Sequence, residues 1–120
     1  MTIQSISRVQ LQYPVGLETE VSHFYGELLG MAPVRIPAGP SLRFAARGQR
    51  VELLPVQGQP AAPVHLAFEV EDLPTLRNRL LDAALPLEES TALPGYLRFS
   101  VKDPAGNQLE FIEPDPTPLQ

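Results

Sequence analysis

Side chains that can ligate a metal, move a proton or bind an anion recur at alternate positions of the predicted strands. Imidazole and carboxylate groups bind divalent metals and exchange protons, whereas guanidinium groups bind carboxylates and phosphates. The alternating polar residues are Arg8, Gln10, Gln12, Arg43, Glu52, His65, Glu69, Arg98, Ser100 and Glu110. Because alternate residues of a strand face the same way, they predict one polar sheet face. This face is either a ligand site or the solvated side of a half-covered sheet.

The strands and helices that position these residues occur in two copies. An alternating strand and an amphipathic helix span 7–31 (SRVQLQYPVGLETEVSHFYGELLGM), and the same order returns in 64–84. The spacing between Arg8 and His65 is 57 residues, and that between Glu52 and Glu110 is 58. Such a period predicts two modules that share one core within a single domain, 1–120. We place module one at about 1–58, module two at about 62–114, and a tail at 115–120.

Two helices are predicted from apolar residues at three- and four-residue spacing. The first spans 17–29, and Gly30 follows it as a C-terminal cap. Asp72 is the predicted N-cap of the second helix, with Pro74 in its first turn. The apolar stripe of this second helix consists of Leu73, Leu76, Leu80 and Ala83 or Ala84. Both helices therefore need the apolar face of a sheet to cover them.

Composition narrows the classes of function. The chain has 120 residues, no cysteine and a formal charge of -5 at pH 7. The absence of cysteine excludes disulfides and leaves any metal site to nitrogen and oxygen ligands. The acidic balance, without a cluster of Lys or Arg, argues against nucleic acid and anionic membranes as partners. No secretory leader or membrane-spanning run is recognisable, so we expect a cytoplasmic protein.

Three segments together resemble the vicinal oxygen chelate superfamily, which includes glyoxalase I, extradiol dioxygenases, and fosfomycin- and bleomycin-resistance proteins. They are HFYGELLGM (23–31), VHLAFEVEDL (64–73) and PGYLRFSVKDPAGNQLEFIEP (94–114) with its DPxGN turn. The resemblance covers nearly the whole chain. It implies an α+β fold of two βαβββ modules, with a curved mixed sheet around a cleft and helices on the outer face. It also implies a homodimer, because many members of the family are dimeric.

Active members of the family hold a divalent metal at four equivalent strand positions, and the metal acts as a Lewis acid. In this sequence the resemblance implies metal ligands at Glu52, His65 and Glu110, with Glu52 or Glu110 as a catalytic base. The first position is occupied by Arg8, and a guanidinium group cannot ligate a metal. Two unit charges about 4 Å apart repel by roughly 4 kcal/mol at an effective dielectric near 20, and a divalent ion doubles this. Arg8 therefore predicts an incomplete metal site.

The favoured hypothesis is a protein without a metal cofactor that binds a small polar or anionic molecule through Arg8, Gln10, Arg43 and Arg98. In this hypothesis Arg8 pairs with Glu52 or Glu110 and occupies the place of the metal. The alternative is a lyase, isomerase or, less favoured, dioxygenase with Mn, Fe, Ni or Zn at Glu52, His65 and Glu110. A drug-sequestering protein ranks last, because the chain has no tryptophan and few aromatic residues to stack on a flat ligand.

Two further predictions concern residues outside these hypotheses. His23 immediately precedes Phe24 on the first helix, and we interpret it as a surface residue. Asp103, Gly106 and Asn107 have the composition of a turn and are predicted to be structural, with positive φ open to the glycine and the asparagine.

Overall fold

The computed structural model describes residues 2–35, 41–60, 64–91 and 93–115. The chain divides into two compact units, 1–62 and 63–120. Each unit contains one strand, one helical segment and three further strands, which is the βαβββ order. The predicted α+β class with two βαβββ modules is therefore confirmed. The predicted tail lies, from residue 116 onward, outside the described residues.

The first unit is a four-stranded mixed sheet with one helical segment. Its strands are β1 (Val9–Pro14), β2 (Ala32–Pro33), β3 (Leu42–Ala46) and β4 (Gln49–Val56). They lie in the order β1-β4-β3-β2, with β1 parallel to β4 and the other pairs antiparallel. The register places Gln10 opposite Glu52, and Glu52 opposite Arg43. These three polar residues therefore form one row across three strands.

The helical segment of the first unit changes type along its length. It begins as the α-helix α1 (Glu18–Ser22) and continues as a π-helix from His23 to Leu28. The Leu29 amide donates to the Phe24 carbonyl five residues earlier, which is the π pattern. Phe24 and its neighbour Tyr25, both in the π-helical part, are buried. The regular 3.6-residue spacing of the sequence identified Phe24 and missed Tyr25.

The core of the first unit lies between this helical segment and the apolar face of its sheet. Tyr25 stacks on Phe44 of β3 with ring centroids 5.6 Å apart. The buried apolar residues of this unit are Leu11, Tyr13, Val21, Phe24, Tyr25, Met31, Phe44, Val51 and Leu53. Gly30 ends the segment with φ +75°, as its predicted role as a cap requires. The alternation of the strands thus directs the polar row away from the helical side.

The second unit repeats this plan. Its strands are β5 (His65–Glu69), β6 (Glu88–Glu89), β7 (Tyr96–Lys102) and β8 (Gln108–Pro114), in the order β5-β8-β7-β6. Helix α2 (Leu73–Asp82) packs Leu73, Leu76 and Leu80 into the core, as the stripe predicts, whereas Ala83 and Ala84 lie beyond the helix and are exposed. The other buried apolar residues of the unit are Phe99, Val101, Leu109 and Phe111. None of the helices among the described residues is long and apolar enough to span a membrane.

Two carboxylates accept hydrogen bonds at the start of α2 in the second unit. Asp72 is the N-cap of α2, and its side chain accepts a hydrogen bond from the Thr75 amide, as predicted. Glu113 of β8 accepts bonds from the Asp72 and Leu73 amides at 2.5 and 2.9 Å. A carboxylate there also favours the positive end of the helix dipole. The sequence pattern showed the first of these contacts and not the second.

The turn between β7 and β8 is built around a buried carboxylate. Asp103 Oδ1 accepts hydrogen bonds from the Ala105 and Asn107 amides, both at 2.9 Å. Asn107 Nδ2 donates to Asp103 Oδ2 at 3.0 Å, and Gly106 has φ +90°. Asn107 contributes through its side chain, and it is not among the described residues with positive φ. These contacts give the turn the structural role predicted for it.

Candidate functional site

A buried carboxylate lies at the centre of the polar sheet face of the first unit. Glu52 is only 6% exposed although it is charged. Gln10 Nε2 donates to Glu52 Oε1 at 2.7 Å, and Arg43 Nη2 donates to Glu52 Oε2 at 2.5 Å. Arg8 Nε lies 3.4 Å from Glu52 Oε1. These four residues, Arg8, Gln10, Arg43 and Glu52, are called the Glu52 cluster below.

The electrostatics of the cluster keep Glu52 ionised. The hydrogen bond from Arg43 lowers the pKa of Glu52 below its ordinary value, helped by Gln10 and by the charges of Arg43 and Arg8, whereas burial acts in the opposite direction. A charge-assisted contact between guanidinium and carboxylate is among the stronger hydrogen bonds of a protein. Glu52 is therefore the counter-ion of two arginines, and its carboxylate is ionised near neutral pH.

The cluster does not suit a divalent ion. Both oxygens of Glu52 already contact cationic or amide donors. A metal bound there would sit beside two guanidinium groups, which cannot ligate it and which repel it. Among the residues that the structure describes, no three His, Asp or Glu side chains form a group that could hold a metal ion.

Arg8 and Arg43 differ in how much of each guanidinium group remains available to bind a ligand. The Arg43 side chain is 23% exposed and neutralises Glu52, and its Nε is buried without a hydrogen-bond partner in the described structure. The Arg8 side chain is 44% exposed, and it contacts Glu52 through Nε alone. The two terminal nitrogens of Arg8 therefore have no partner among the described residues. They form an open fork of the kind that binds carboxylate or phosphate with two parallel hydrogen bonds.

The first unit also contains a cleft of about 490 Å³, a volume in the range of small-molecule sites. It lies between the π-helical segment and strands β2 and β3. Its lining residues are Ser22, Gly26, Glu27, Pro33, Val34, Ser41, Leu42, Arg43 and Phe44. Arg43 thus belongs both to the Glu52 cluster and to the wall of this cleft.

His23 lies on the π-helical segment near this cleft. The residue is exposed, and its Nδ1 is 2.8 Å from Glu27 Oε2 one turn along the helix. This position agrees with the prediction of a surface residue.

In the second unit the polar face carries a smaller and more open arrangement. Arg98 Nη1 donates to Glu110 Oε1 at 3.2 Å, and its Nε donates to the Thr91 carbonyl at 2.8 Å. The strand register places Ala67 and Ser100 on either side of Glu110, where the first unit has Gln10 and Arg43 beside Glu52. Glu110 Oε2 consequently has no hydrogen-bond partner among the described residues. Arg98 therefore connects the loop before β7 to Glu110 by hydrogen bonds to both.

His65 lies at the start of β5, opposite Gln108 and two pairs along the strands from Glu110. It is exposed and makes no hydrogen bond or ion pair with the described residues. His65 and Glu110 share one sheet face, whereas Glu52 lies in the other unit. The three-residue metal site and the catalytic roles of Glu52 and Glu110 therefore stay predictions.

Arg50 is a basic residue of the polar face that was not among the predicted candidates. Arg50 is exposed in β4, two residues before Glu52, and no described residue pairs with it. Its place in the pattern R-V-E, with the charged residues alternating around a buried valine, was the signal that could have found it.

Comparisons with known proteins identify the family. The sequence model of the glyoxalase/bleomycin resistance protein/dioxygenase superfamily matches residues 10–111. The chain belongs to this superfamily. None of the curated proteins compared matches this chain significantly.

Solved structures share the fold over almost the whole chain. A glyoxalase family protein from Bacillus anthracis is 31% identical, with a TM-score of 0.85 over 96% of this chain and 98% of that one. Lactoylglutathione lyase from Agrobacterium tumefaciens is 20% identical, with a TM-score of 0.77 over 94% and 96%. The antibiotic-binding protein TnmS3 from Streptomyces sp. CB03234 is 21% identical, with a TM-score of 0.73 over 96% and 99%. At 20–21% identity, the last two likenesses show the fold alone.

Proposed function

We propose that this superfamily member binds a small anionic molecule on the polar sheet face of its first module, without a metal cofactor. The observation that carries the proposal is the open fork of Arg8 beside a carboxylate that Arg43 already neutralises. Arg8, Arg43 and Glu52 together have a net charge of +1, within a chain of net charge -5. A ligand with a carboxylate or phosphate group complements this local charge.

Two features of the cluster support a preorganised site. The Arg8 guanidinium is held at Nε by Glu52 Oε1, so less side-chain freedom is lost when its terminal nitrogens bind a ligand. Gln10 is exposed on the same face, and its amide is oriented by the bond to Glu52. The neighbouring Leu54 and Val56 are half-buried on alternate positions of β4 and offer apolar surface to a ligand body.

The test is a ligand titration of protein treated with a chelator and freed of metal. The probes are acetate, benzoate and inorganic phosphate, and binding is followed by the thermal midpoint and by amide shifts in NMR spectra. A ligand at 100 times its Kd stabilises the folded state by about 2.7 kcal/mol. We expect at least one probe to bind, and Arg8→Gln to weaken that binding at least tenfold.

The matched control is Arg35→Gln. Arg35 is an exposed arginine of the same unit, and no described residue pairs with it. Its replacement removes the same charge from the same unit and should leave the affinity unchanged. Equal binding by the wild type and Arg8→Gln, or the same loss in Arg35→Gln, would refute the proposal.

The competing function is a metal-dependent lyase or isomerase that uses Glu52, His65 and Glu110. Neither Glu110 Oε2 nor the His65 ring has a hydrogen-bond partner among the described residues, and this favours the enzyme, because both could bind a metal ion or accept a proton. The same thermal assay with Mn, Fe(II), Co, Ni and Zn separates the two functions. A rise in the midpoint that His65→Ala removes would support the enzyme and contradict the metal-free site.

A homodimer remains part of this proposal, since it was predicted from the resemblance. Size-exclusion chromatography with light scattering measures it directly. The expected mass is twice the 13.2 kDa of one chain.

A further inference from the structure

A second open arginine lies next to Arg8 on the polar face. Strands β1 and β4 are parallel, and Val9 pairs with Val51. Arg8 immediately precedes Val9, and Arg50 immediately precedes Val51. Arg8, just before β1, and Arg50, in β4, therefore lie next to each other at the same end of two adjacent strands.

Both side chains lie on the same side of the sheet. Arg8 is on the face of Glu52, because its Nε is 3.4 Å from Glu52 Oε1. Arg50 precedes Glu52 by two residues in β4, and residues two apart in a strand face the same way. The intervening Val51 is buried on the opposite, apolar face. Arg50 is exposed, and neither its guanidinium group nor the terminal nitrogens of Arg8 have a partner among the described residues.

The charge of this face exceeds what one carboxylate can balance. Arg8, Arg43 and Arg50 supply three positive charges, and Glu52 supplies one negative charge, which leaves a net charge of +2. Glu52 is already occupied by the rest of its cluster. Arg8 and Arg50 repel each other across neighbouring strands, because like charges that lie side by side in a sheet are unfavourable. An anion placed between them removes this repulsion, and an anion with two charges neutralises the face completely.

We infer that Arg8 and Arg50 together hold a doubly charged anionic group, and that Arg50 sets the preference for a dianion over a monoanion. This inference rests on the proposed function and specifies the chemical class of its ligand. A phosphate monoester and a dicarboxylate both meet the requirement, because each presents two negative charges to two guanidinium forks near neutral pH. A monocarboxylate satisfies the fork of Arg8 and leaves Arg50 unpaired.

The experiment compares the affinities of singly and doubly charged probes for the wild type and three variants. Acetate, succinate and inorganic phosphate are titrated at pH 8 into chelator-treated, ¹⁵N-labelled protein, and the amides of Val9, Arg50 and Val51 are followed. Sodium chloride keeps the ionic strength constant, because screening alone changes apparent affinities. The variants are Arg8→Gln, Arg50→Gln and the control Arg35→Gln. Far-UV circular dichroism checks that each variant keeps the wild-type fold.

The expected pattern separates the two arginines. In the wild type a dianion binds at least tenfold more tightly than acetate, and the comparison of succinate with phosphate identifies which dianion is preferred. Arg50→Gln removes this difference and changes the Kd of acetate less than threefold. Arg8→Gln weakens all three probes, and Arg35→Gln matches the wild type.

Two other patterns overturn different claims. If Arg50→Gln weakens acetate and the dianions equally, or leaves all three unchanged, Arg50 does not select the charge and the inference fails. The proposed function survives that result as long as Arg8→Gln weakens binding at least tenfold. If Arg8→Gln binds every probe as tightly as the wild type does, both the inference and the proposed function fail.

Discussion

Replacement of Glu52 by glutamine tests whether this carboxylate holds the polar face of the first unit together. Glutamine keeps the size of the side chain and removes its charge. Arg43 would then lose its ionic partner while its Nε is already buried without a hydrogen-bond partner among the described residues. Removal of one partner of a buried ion pair costs about 3–5 kcal/mol, because the other charge stays buried.

The exposure of the two arginines reduces this figure. Arg43 is 23% exposed and Arg8 44% exposed, so water compensates part of the lost interaction. We therefore expect Glu52→Gln to lower the free energy of unfolding by about 2–3 kcal/mol. For a domain of this size, that corresponds to a fall in the thermal midpoint of roughly 10 °C. Urea denaturation measures the free energy of unfolding. It is followed by far-UV circular dichroism, since the chain has no tryptophan for fluorescence.

The difference between the wild type and Glu52→Gln should also depend on pH. The pKa of Glu52 is lower in the folded protein than in the unfolded chain, so the unfolded chain binds the proton more tightly. The stabilisation is therefore complete above the unfolded value of about 4.3 and is lost as the pH falls through the lower, folded value. The two proteins should differ by a constant amount at pH 6–8 and converge below about pH 4.

Glu69→Gln is the control for this experiment. Glu69 is exposed at the end of β5 and has no partner among the described residues, so its replacement should change stability by no more than about 0.5 kcal/mol. If the wild type and Glu52→Gln differ by less than about 0.5 kcal/mol in the free energy of unfolding, Glu52 is not a required counter-ion. A difference that stays constant from pH 8 to pH 3 would refute the electrostatic explanation.

The remaining predictions concern the framework. Glu113→Ala removes the carboxylate that accepts from the first amides of α2, and should cost about 1 kcal/mol in urea unfolding; an unchanged midpoint would contradict the cap. Asp103→Ala removes the acceptor of three hydrogen bonds in the β7–β8 turn, two of them from the buried Asn107, and should cost about 2–3 kcal/mol, with faster hydrogen exchange at the Asn107 amide. Gly26→Ala should raise stability by about 0.5–1 kcal/mol, because the added Cβ would lie at an ordinary 3.7 Å from Phe44 Cε1 and alanine is the better helix former; a lower midpoint would show that the π-helical segment requires the glycine.

The strands and the second helix could be predicted from the sequence because their signals are local. The alternation of Leu97, Phe99 and Val101 follows the two-residue period of a strand, and all three are at least half-buried. Asp72 followed by Pro74 marks the start of α2, which the structure places at Leu73. The π-helical turn was not predictable in this way, because its extra residue per turn breaks the 3.6-residue period on which the prediction depends.

The candidate site was only partly predictable, because its chemistry depends on partners rather than on residue types. Arg8 at a family ligand position pointed to an ion pair with Glu52 or Glu110, and the structure places it against Glu52. The sequence did not show that Arg43 takes the second oxygen of Glu52, since this contact depends on the register between β3 and β4. The alternation with Glu52 places Arg50 on the polar face, but its position beside Arg8 depends on the pairing of β4 with β1, about 40 residues earlier in the chain.

The contact between Glu113 and the start of α2 has a consequence for the order in which the second unit folds. Its two hydrogen bonds join positions 41 and 40 residues apart. The first turn of α2 therefore stays incomplete until β8 has joined the sheet, and a contact over such a separation forms late because the chain between must first be ordered. We expect the Asp72 and Leu73 amides to gain protection from hydrogen exchange together with the β8 amides and after the middle of the helix. The last strand of the second unit thus completes the helix that precedes it in the sequence.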